Sequence, residues 1–97
     1  THLTTQWQEE IKQYTSLSTH IIKERTPYKL PEADVYIFKY SQLQGWANFF
    51  STGFFKSVIF DEAQELRRSE SLKYEAAKIL SNSVDYSIGL SATPIYN

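Results

Sequence analysis

Apolar residues recur along the 97-residue chain in two patterns, a helical spacing and short continuous runs. The amino-terminal segment is predicted to be a helix by four residues at intervals of four, four and three: Leu3, Trp7, Ile11 and Tyr14. Thr5 with Gln8 three positions later fits a capping box at the start of this helix.

Two further helices are predicted from the same spacing. A short aromatic helix is expected from Gln42 to Phe50, ending before Gly53. An amphipathic helix, with Ser69 or Ser71 as its cap, is marked by four apolar residues: Leu72, Ala76, Ile79 and Leu80.

Short apolar runs predict four strands: 21–22, 35–38, 58–60 and 86–90. The second and third are apolar on both faces, as expected of strands buried in a parallel sheet. Pro27 and Pro31 indicate a loop between the first two strands. Strands that alternate with helices at this spacing favour βαβ units. The fold class predicted is therefore α/β, a mainly parallel sheet with flanking helices.

Composition excludes several classes of protein. A net charge of -1 argues against a dedicated nucleic-acid-binding module, although a motor that grips a backbone through a few contacts is compatible with it. The chain has no cysteine, and its two histidines are far apart, so no thiolate or histidine metal site is expected. No apolar run reaches the roughly 18–20 residues of a membrane helix. We therefore expect a cytoplasmic protein, or a nuclear one in a eukaryote.

Candidate chemistry lies at the end of the third strand, where Asp61 and Glu62 follow an apolar run directly. Ligands of parallel sheets bind at the carboxyl ends of strands. One acid there can hold Mg²⁺, which keeps several waters, and the second can orient a water that attacks a phosphate. Taken alone, such a pair is more often an ordinary acidic loop.

A second strand end favours a functional site over an ordinary acidic loop. Thirty positions after Asp61 the last strand runs into Ser91-Ala92-Thr93-Pro94. Alone this is a turn with hydroxyl caps, but the two strand ends together resemble motifs II and III of superfamily 2 helicases, in matching order and spacing.

Other segments resemble the Snf2 branch of that superfamily, so that the resemblance spans the whole chain. Residues 1–11 are similar to motif Ia, residues 38–43 to motif Ib, and 63–71 to the extension after motif II. The resemblance implies residues 1–97 to be part of the first RecA-like motor domain of an ATPase that moves on nucleic acid, most simply double-stranded DNA, together with a second RecA-like domain.

The resemblance also implies roles for individual residues. Asp61 would hold the Mg²⁺ of Mg-ATP through water, and Glu62 would be the catalytic carboxylate. Gln64, with Ser91 and Thr93, would link the state of the nucleotide to motif III. Nucleic-acid contacts would come from five residues: His2, Thr4, Thr5, Ser41 and Gln42.

Plainer interpretations stay open for several of these positions. Thr5 is as well explained as a helix cap. Arg67 and Arg68 are read as a solvated pair, and His20 as structural or exposed. Core packing is favoured over base stacking for four aromatic residues: Trp7, Trp46, Phe49 and Phe50.

One element of the family pattern is missing from these 97 residues. No Gly-x-x-x-x-Gly-Lys-Ser/Thr loop occurs, and the three glycines, at 45, 53 and 89, cannot form one. Since the chain also lacks an initial Met and stops just after motif III, we expect an excised fragment. We predict weak or no binding of Mg-ATP by the chain alone, and micromolar affinity in calorimetry would contradict this.

Two rival functions remain at the level of sequence. An RNA helicase or a restriction-enzyme motor subunit shares the same superfamily, although Trp7 and the 66–71 stretch favour Snf2. A non-enzymatic interaction domain with a degenerate motor fold is the rival from another class. Nucleic-acid dependence of the ATPase distinguishes the first, and the presence of a phosphate loop upstream distinguishes the second.

Overall fold

The computed structural model describes residues 4–62, 66 and 72–90, with side chains at all of these except 72 and 73. This part of the chain has an α/β fold in which helices alternate with short strands. In chain order the elements are α1 (Thr4–Tyr14), β1 (Thr19–Ile21), β2 (Val35–Ile37), two 3₁₀ turns (Tyr40–Gln42 and Gln44–Trp46), α2 (Ala47–Phe50), β3 (Ser57–Phe60), α3 (Leu72–Ser83) and β4 (Tyr86–Gly89).

The strands are parallel, as predicted, but in the described residues they form two separate pairs. β1 pairs with β2, and β3 pairs with β4, each in parallel. The four predicted strands were expected to form a single sheet, so the two separate pairs differ from that prediction. Each strand has only three or four residues, and the side chains of one hydrophobic cluster pack between the two pairs.

The register of β1 and β2 is fixed just before both strands begin. The carboxylate of Asp34 accepts hydrogen bonds from the backbone N–H of Ser18 at 2.9 Å and from its hydroxyl at 3.1 Å. The backbone N–H groups of Asp34 and Val35 donate in turn to the Ser18 carbonyl. Thr19 therefore lies opposite Val35, and the pairing runs in step from there to Ile21 and Ile37.

The core is built around the aromatic segment between β2 and β3. Phe38 packs edge to face against Trp46 and Phe50, with ring centroids 5.2 and 5.5 Å apart. Offset and edge-to-face aromatic pairs of this kind add to the stabilisation from burial. Among the described residues, the buried cluster combines this segment with the residue after β1, the end of β3 and α3: Ile22, Leu43, Trp46, Phe50, Phe60, Leu66, Ala76, Ala77 and Leu80.

One face of the β3–β4 pair is exposed, although burial on both faces was predicted for β3. Phe60 is buried and Val58 packs beside the core, whereas Ile59 is 60% exposed and Ile88 is 55% exposed. Ile59 and Ile88 lie opposite each other in the register. Successive side chains of a strand alternate between faces, and the core covers only the face that carries Phe60.

The amino-terminal helix is present, but two details of its prediction are wrong. Thr5 lies inside α1, which already includes Thr4, so Thr5 is not its cap, and the amide of Gln8 instead donates to the hydroxyl of Thr19 at 3.0 Å. Tyr14, predicted on the apolar face, is 77% exposed at the last helical position. Packing of α1 thus depends on Trp7 and Ile11, which are half-buried.

The aromatic helix predicted from 42 to 50 is broken into two 3₁₀ turns and one turn of α-helix. Gly45, near its middle, lies against the carbonyl oxygen of Arg25, where a β-carbon would stand 1.7 Å from that oxygen. Glycine weakens a helix by about 1 kcal/mol relative to alanine. The close contact with the 22–25 segment therefore decides the local conformation.

The last helix, α3, buries a face slightly different from the predicted one. Ala76, Ala77 and Leu80 are buried, while Ile79 is 37% exposed. The proposed caps, Ser69 and Ser71, lie outside the described residues, as do Leu3, Arg67 and Arg68. Among the helices described, none has both the length and the apolar character needed to cross a membrane.

Candidate functional site

Asp61 follows the last residue of β3 and is held by two other parts of the chain. Its Oδ2 atom accepts a hydrogen bond from the indole Nε1–H of Trp7 in α1 at 3.0 Å. Its main-chain carbonyl accepts a hydrogen bond from the hydroxyl of Tyr40 in the first 3₁₀ turn. The side chain and the backbone of this acid are therefore fixed by separate elements.

Glu62 has an unusual backbone conformation. Its φ is 52°, in the left-handed region, which costs an L-residue other than glycine about 1 kcal/mol or more. Such conformations persist where the surrounding structure imposes them, and they are frequent at active sites. The chain thus turns sharply after Asp61, so the two acids do not continue the pleat of β3.

The end of β4 lies beside the end of β3. Phe60 is paired with Gly89, and the backbone N–H of Leu90 donates to the Phe60 carbonyl at 2.7 Å. The hydrogen bonding therefore reaches the last residue of β3 and the first residue after β4. Leu90 is next to Ser91 in the sequence, and Phe60 is next to Asp61, so the residues that precede the two predicted motifs are neighbours.

The sequence as a whole matches one protein-family model. The model for the SNF2-related domain matches residues 1–97. The chain belongs to the SNF2-related domain family. The family is one of ATP-dependent, helicase-like motors. Searches of curated proteins and of solved structures gave no match to the chain.

The carboxylates of this SNF2-related domain are compatible with a nucleotide-bound Mg²⁺. Among the described residues there is no group of three or more His, Cys, Asp or Glu side chains that would enclose a metal ion. Mg²⁺ is ordinarily bound by one or two carboxylates together with phosphate oxygens and waters. Asp61 and Glu62, at the carboxyl end of β3, supply oxygen donors of that kind.

The predicted nucleic-acid residues that the structure describes lie in two places. Thr4 is half-buried and Thr5 exposed in the first turn of α1. Ser41 is exposed in the first 3₁₀ turn. Gln42 is 7% exposed, and its amide donates to the Ile22 carbonyl at 3.0 Å.

The amide oxygen of Gln42 is also hydrogen-bonded within the SNF2-related domain. Its Oε1 accepts from the backbone N–H of Lys39 at 2.8 Å. With both ends of the amide bonded, this side chain stabilises the connection between β1 and the first 3₁₀ turn. Among the predicted contacts, four residues lie outside the described part of the SNF2-related domain: His2, Gln64, Ser91 and Thr93.

Sequence reasoning missed the two residues that hold Asp61. Core packing was favoured for Trp7, yet the core cluster does not include it and its indole bonds to a carboxylate. Tyr40 lies in the 38–43 segment that resembles motif Ib, and no role was predicted for it. A usable signal existed for Tyr40, which follows β2 closely and so lies near the carboxyl ends of the parallel strands. Core packing is confirmed for the other aromatic residues named: Trp46, Phe49 and Phe50.

His20 is held by contacts with neighbouring tyrosine side chains. Its Nε2 lies 2.7 Å from the hydroxyl of Tyr28, and its ring packs edge to face with those of Tyr28 and Tyr36. These contacts support the structural interpretation given to His20 from the sequence.

Proposed function

We propose that residues 1–97 are part of the first RecA-like domain of an ATP-driven motor that moves along double-stranded DNA. The observation that carries the proposal is the acid pair at the carboxyl end of β3. Asp61 is held in place there by Trp7 and Tyr40, in a chain whose whole length matches the SNF2-related domain.

In this proposal the two acids have different roles. Asp61, fixed through both its carboxylate and its carbonyl, holds the hydrated Mg²⁺ of Mg-ATP. Glu62 orients the attacking water and accepts its proton. When bound, Mg²⁺ would neutralise charge on the phosphate oxygens. The left-handed backbone at Glu62 supports separate roles, because it turns the second carboxylate away from the direction of the strand.

Three residues outside the described part complete the proposed coupling. Gln64 would sense the nucleotide, and Ser91 and Thr93 would receive that signal. Support comes from the parallel pairing of β3 with β4, which brings Phe60 and Leu90 within hydrogen-bond distance. These residues adjoin Asp61 and Ser91 in the sequence, and their pairing supports the proposed coupling.

The domain contributes only part of a nucleotide site. The 97 residues contain no phosphate-binding loop, so we infer that the loop and a second RecA-like domain are supplied by other parts of the protein. Nucleic acid would contact the start of α1 through His2, Thr4 and Thr5, where helix N–H groups favour phosphates. Ser41 would provide a second contact, with Gln42 supporting the turn behind it.

The test is the DNA-stimulated ATPase activity of the protein that carries this domain. Asp61→Asn removes the charge that holds the metal, and Glu62→Gln removes the proton acceptor. We expect each to lower kcat by about a hundredfold or more. Asp85→Asn is the matched control, because Asp85 is exposed and precedes β4 at the opposite end of the strand pair. Its activity should equal that of the wild type.

Unchanged ATPase activity in both Asp61→Asn and Glu62→Gln would overturn the proposal. The nucleic acid is tested by comparing duplex DNA, single-stranded DNA and RNA as activators. Stimulation by RNA alone would replace the DNA motor with an RNA helicase. Absence of any ATPase activity in the wild-type protein would favour an interaction domain.

A further inference from the structure

The contact between Trp7 and Asp61 joins residues that are 54 positions apart in the sequence. Trp7 is the fourth residue of α1, and Asp61 follows β3. The separation between indole Nε1 and carboxylate Oδ2 is 3.0 Å, and the pair is partly buried. An N–H donor paired with an ionised carboxylate is about twice as strong as a pair of neutral groups.

The indole is a suitable group for fixing a carboxylate. It donates but does not accept a hydrogen bond, and its planar ring has only two side-chain torsions. The bond to Oδ2 therefore restricts rotation of the Asp61 carboxylate about its own side-chain torsions.

The helix that carries Trp7 is itself anchored next to it. The amide of Gln8 donates to the hydroxyl of Thr19 in β1 at 3.0 Å. The backbone of Asp61 is held independently by the hydroxyl of Tyr40. With the helix and the backbone of Asp61 both held, the indole sets the direction of the carboxylate.

We propose that Trp7 is a positioning residue for the Mg²⁺-binding carboxylate Asp61, a role that rests on the proposed function. The indole keeps the carboxylate in the orientation that receives the hydrated metal. Groups that orient metal-binding side chains typically change metal affinity or activity by about 10- to 100-fold when they are removed. This role differs from packing, since it depends on one N–H group.

The test uses the protein that carries this domain and the variant Trp7→Phe, which keeps an aromatic ring and removes the N–H. The first measurement is the Mg²⁺ concentration that gives half-maximal binding of a fluorescent ATP analogue, and the second is the same value for ATPase activity. We expect both to rise about tenfold or more in Trp7→Phe.

Trp46→Phe is the matched control, because the indole of Trp46 donates to the Glu24 carbonyl, also at 3.0 Å, away from Asp61. This variant should lose stability, since Trp46 is 0% exposed, but its Mg²⁺ requirement should equal that of the wild type, because no group that orients the metal-binding carboxylate is removed.

A spectroscopic measurement covers the case in which Trp7→Phe does not fold. The indole ¹⁵N–¹H signal of Trp7, identified by comparison of single-tryptophan replacements or by stepwise assignment, should move upfield in Asp61→Asn because the charged acceptor is lost. The Trp46 signal should not move. A Trp7 signal unchanged by Asp61→Asn would overturn the proposal.

The outcomes separate this proposal from the one on which it rests. If Asp61→Asn and Glu62→Gln leave the ATPase unchanged, the proposed function fails. If Asp61→Asn abolishes the ATPase while Trp7→Phe and Trp46→Phe share the same Mg²⁺ requirement, the function stands and the positioning role of Trp7 falls.

Discussion

Gly45 lies directly against the main-chain carbonyl of Arg25, so close that a β-carbon at position 45 would stand 1.7 Å from the oxygen. The contact brings the chain after β1 against the aromatic segment. Two hydrogen bonds, one on each side of Gly45, hold these segments together. The amide of Gln42 donates to the Ile22 carbonyl, and the indole of Trp46 donates to the Glu24 carbonyl.

We therefore predict that Gly45→Ala lowers the free energy of unfolding by about 3 kcal/mol, because the obstructing atoms are backbone and have little room to shift. Urea denaturation measures the change. Gly53→Ala is the control: nothing lies within 4 Å of its added carbon, although its φ is +78°. It should cost only about 1 kcal/mol. Equal stability of the two variants would contradict the close contact.

Tyr40→Phe tests the bond to the carbonyl of Asp61. We expect a loss of about 1 kcal/mol in stability and a fall of roughly threefold or more in kcat/KM for ATP, the value of one hydrogen bond. Tyr28→Phe is the control, because the Tyr28 hydroxyl bonds to His20 and to the Lys23 N–H. It should lose stability and keep full kcat/KM. A normal kcat/KM in Tyr40→Phe would show that the bond serves stability alone.

The backbone at Glu62 gives a prediction in which two inactive variants differ in stability. At a φ of 52° glutamate and alanine both incur a steric cost, because each has a β-carbon. Glycine has no β-carbon and avoids this cost. Glu62→Gly should therefore be more stable than Glu62→Ala by about 1 kcal/mol, and both should lack ATPase activity. Thermal unfolding and ATPase assays on the same samples provide the check. A less stable glycine variant would show that the left-handed conformation is absent in solution.

The exposure of one face of β3 is tested by making the same substitution at a buried isoleucine and at an exposed isoleucine of β3. Ile22 is 3% exposed and Ile59 is 60% exposed. Ile22→Thr should lower the free energy of unfolding by about 2 kcal/mol or more, since it buries a hydroxyl and removes a packed carbon. Ile59→Thr should cost about 0.5 kcal/mol or less. Equal costs in urea denaturation would mean that the face carrying Ile59 is covered.

The elements that sequence predicted well are those whose signal is local. The spacing of Trp7 and Ile11 was sufficient for α1, and apolar runs ending in polar residues marked β3 and β4. The acid pair was identified in the same way, since Asp61 and Glu62 follow β3 directly. Local patterns suffice where one short stretch determines both conformation and chemistry.

The elements that sequence predicted poorly depend on contacts between distant residues. The break in the 42–50 helix arises from the meeting of Gly45 with Arg25, which no helical periodicity reveals. The exposure of Ile59 depends on which face of β3 the core covers. The role of Trp7 depends on Asp61, 54 positions later. In each case the deciding partner lies far along the chain.

The bond between Trp7 and Asp61 also bears on the order of events during folding. It spans 54 positions, and contacts of such high sequence separation pay the entropy of closing a long loop before they form. During synthesis α1 emerges first and its indole has no carboxylate to hold until β3 has followed. Local structure can therefore arise early while the acid remains unoriented, and an oriented carboxylate marks a chain in which α1 has already met the end of β3.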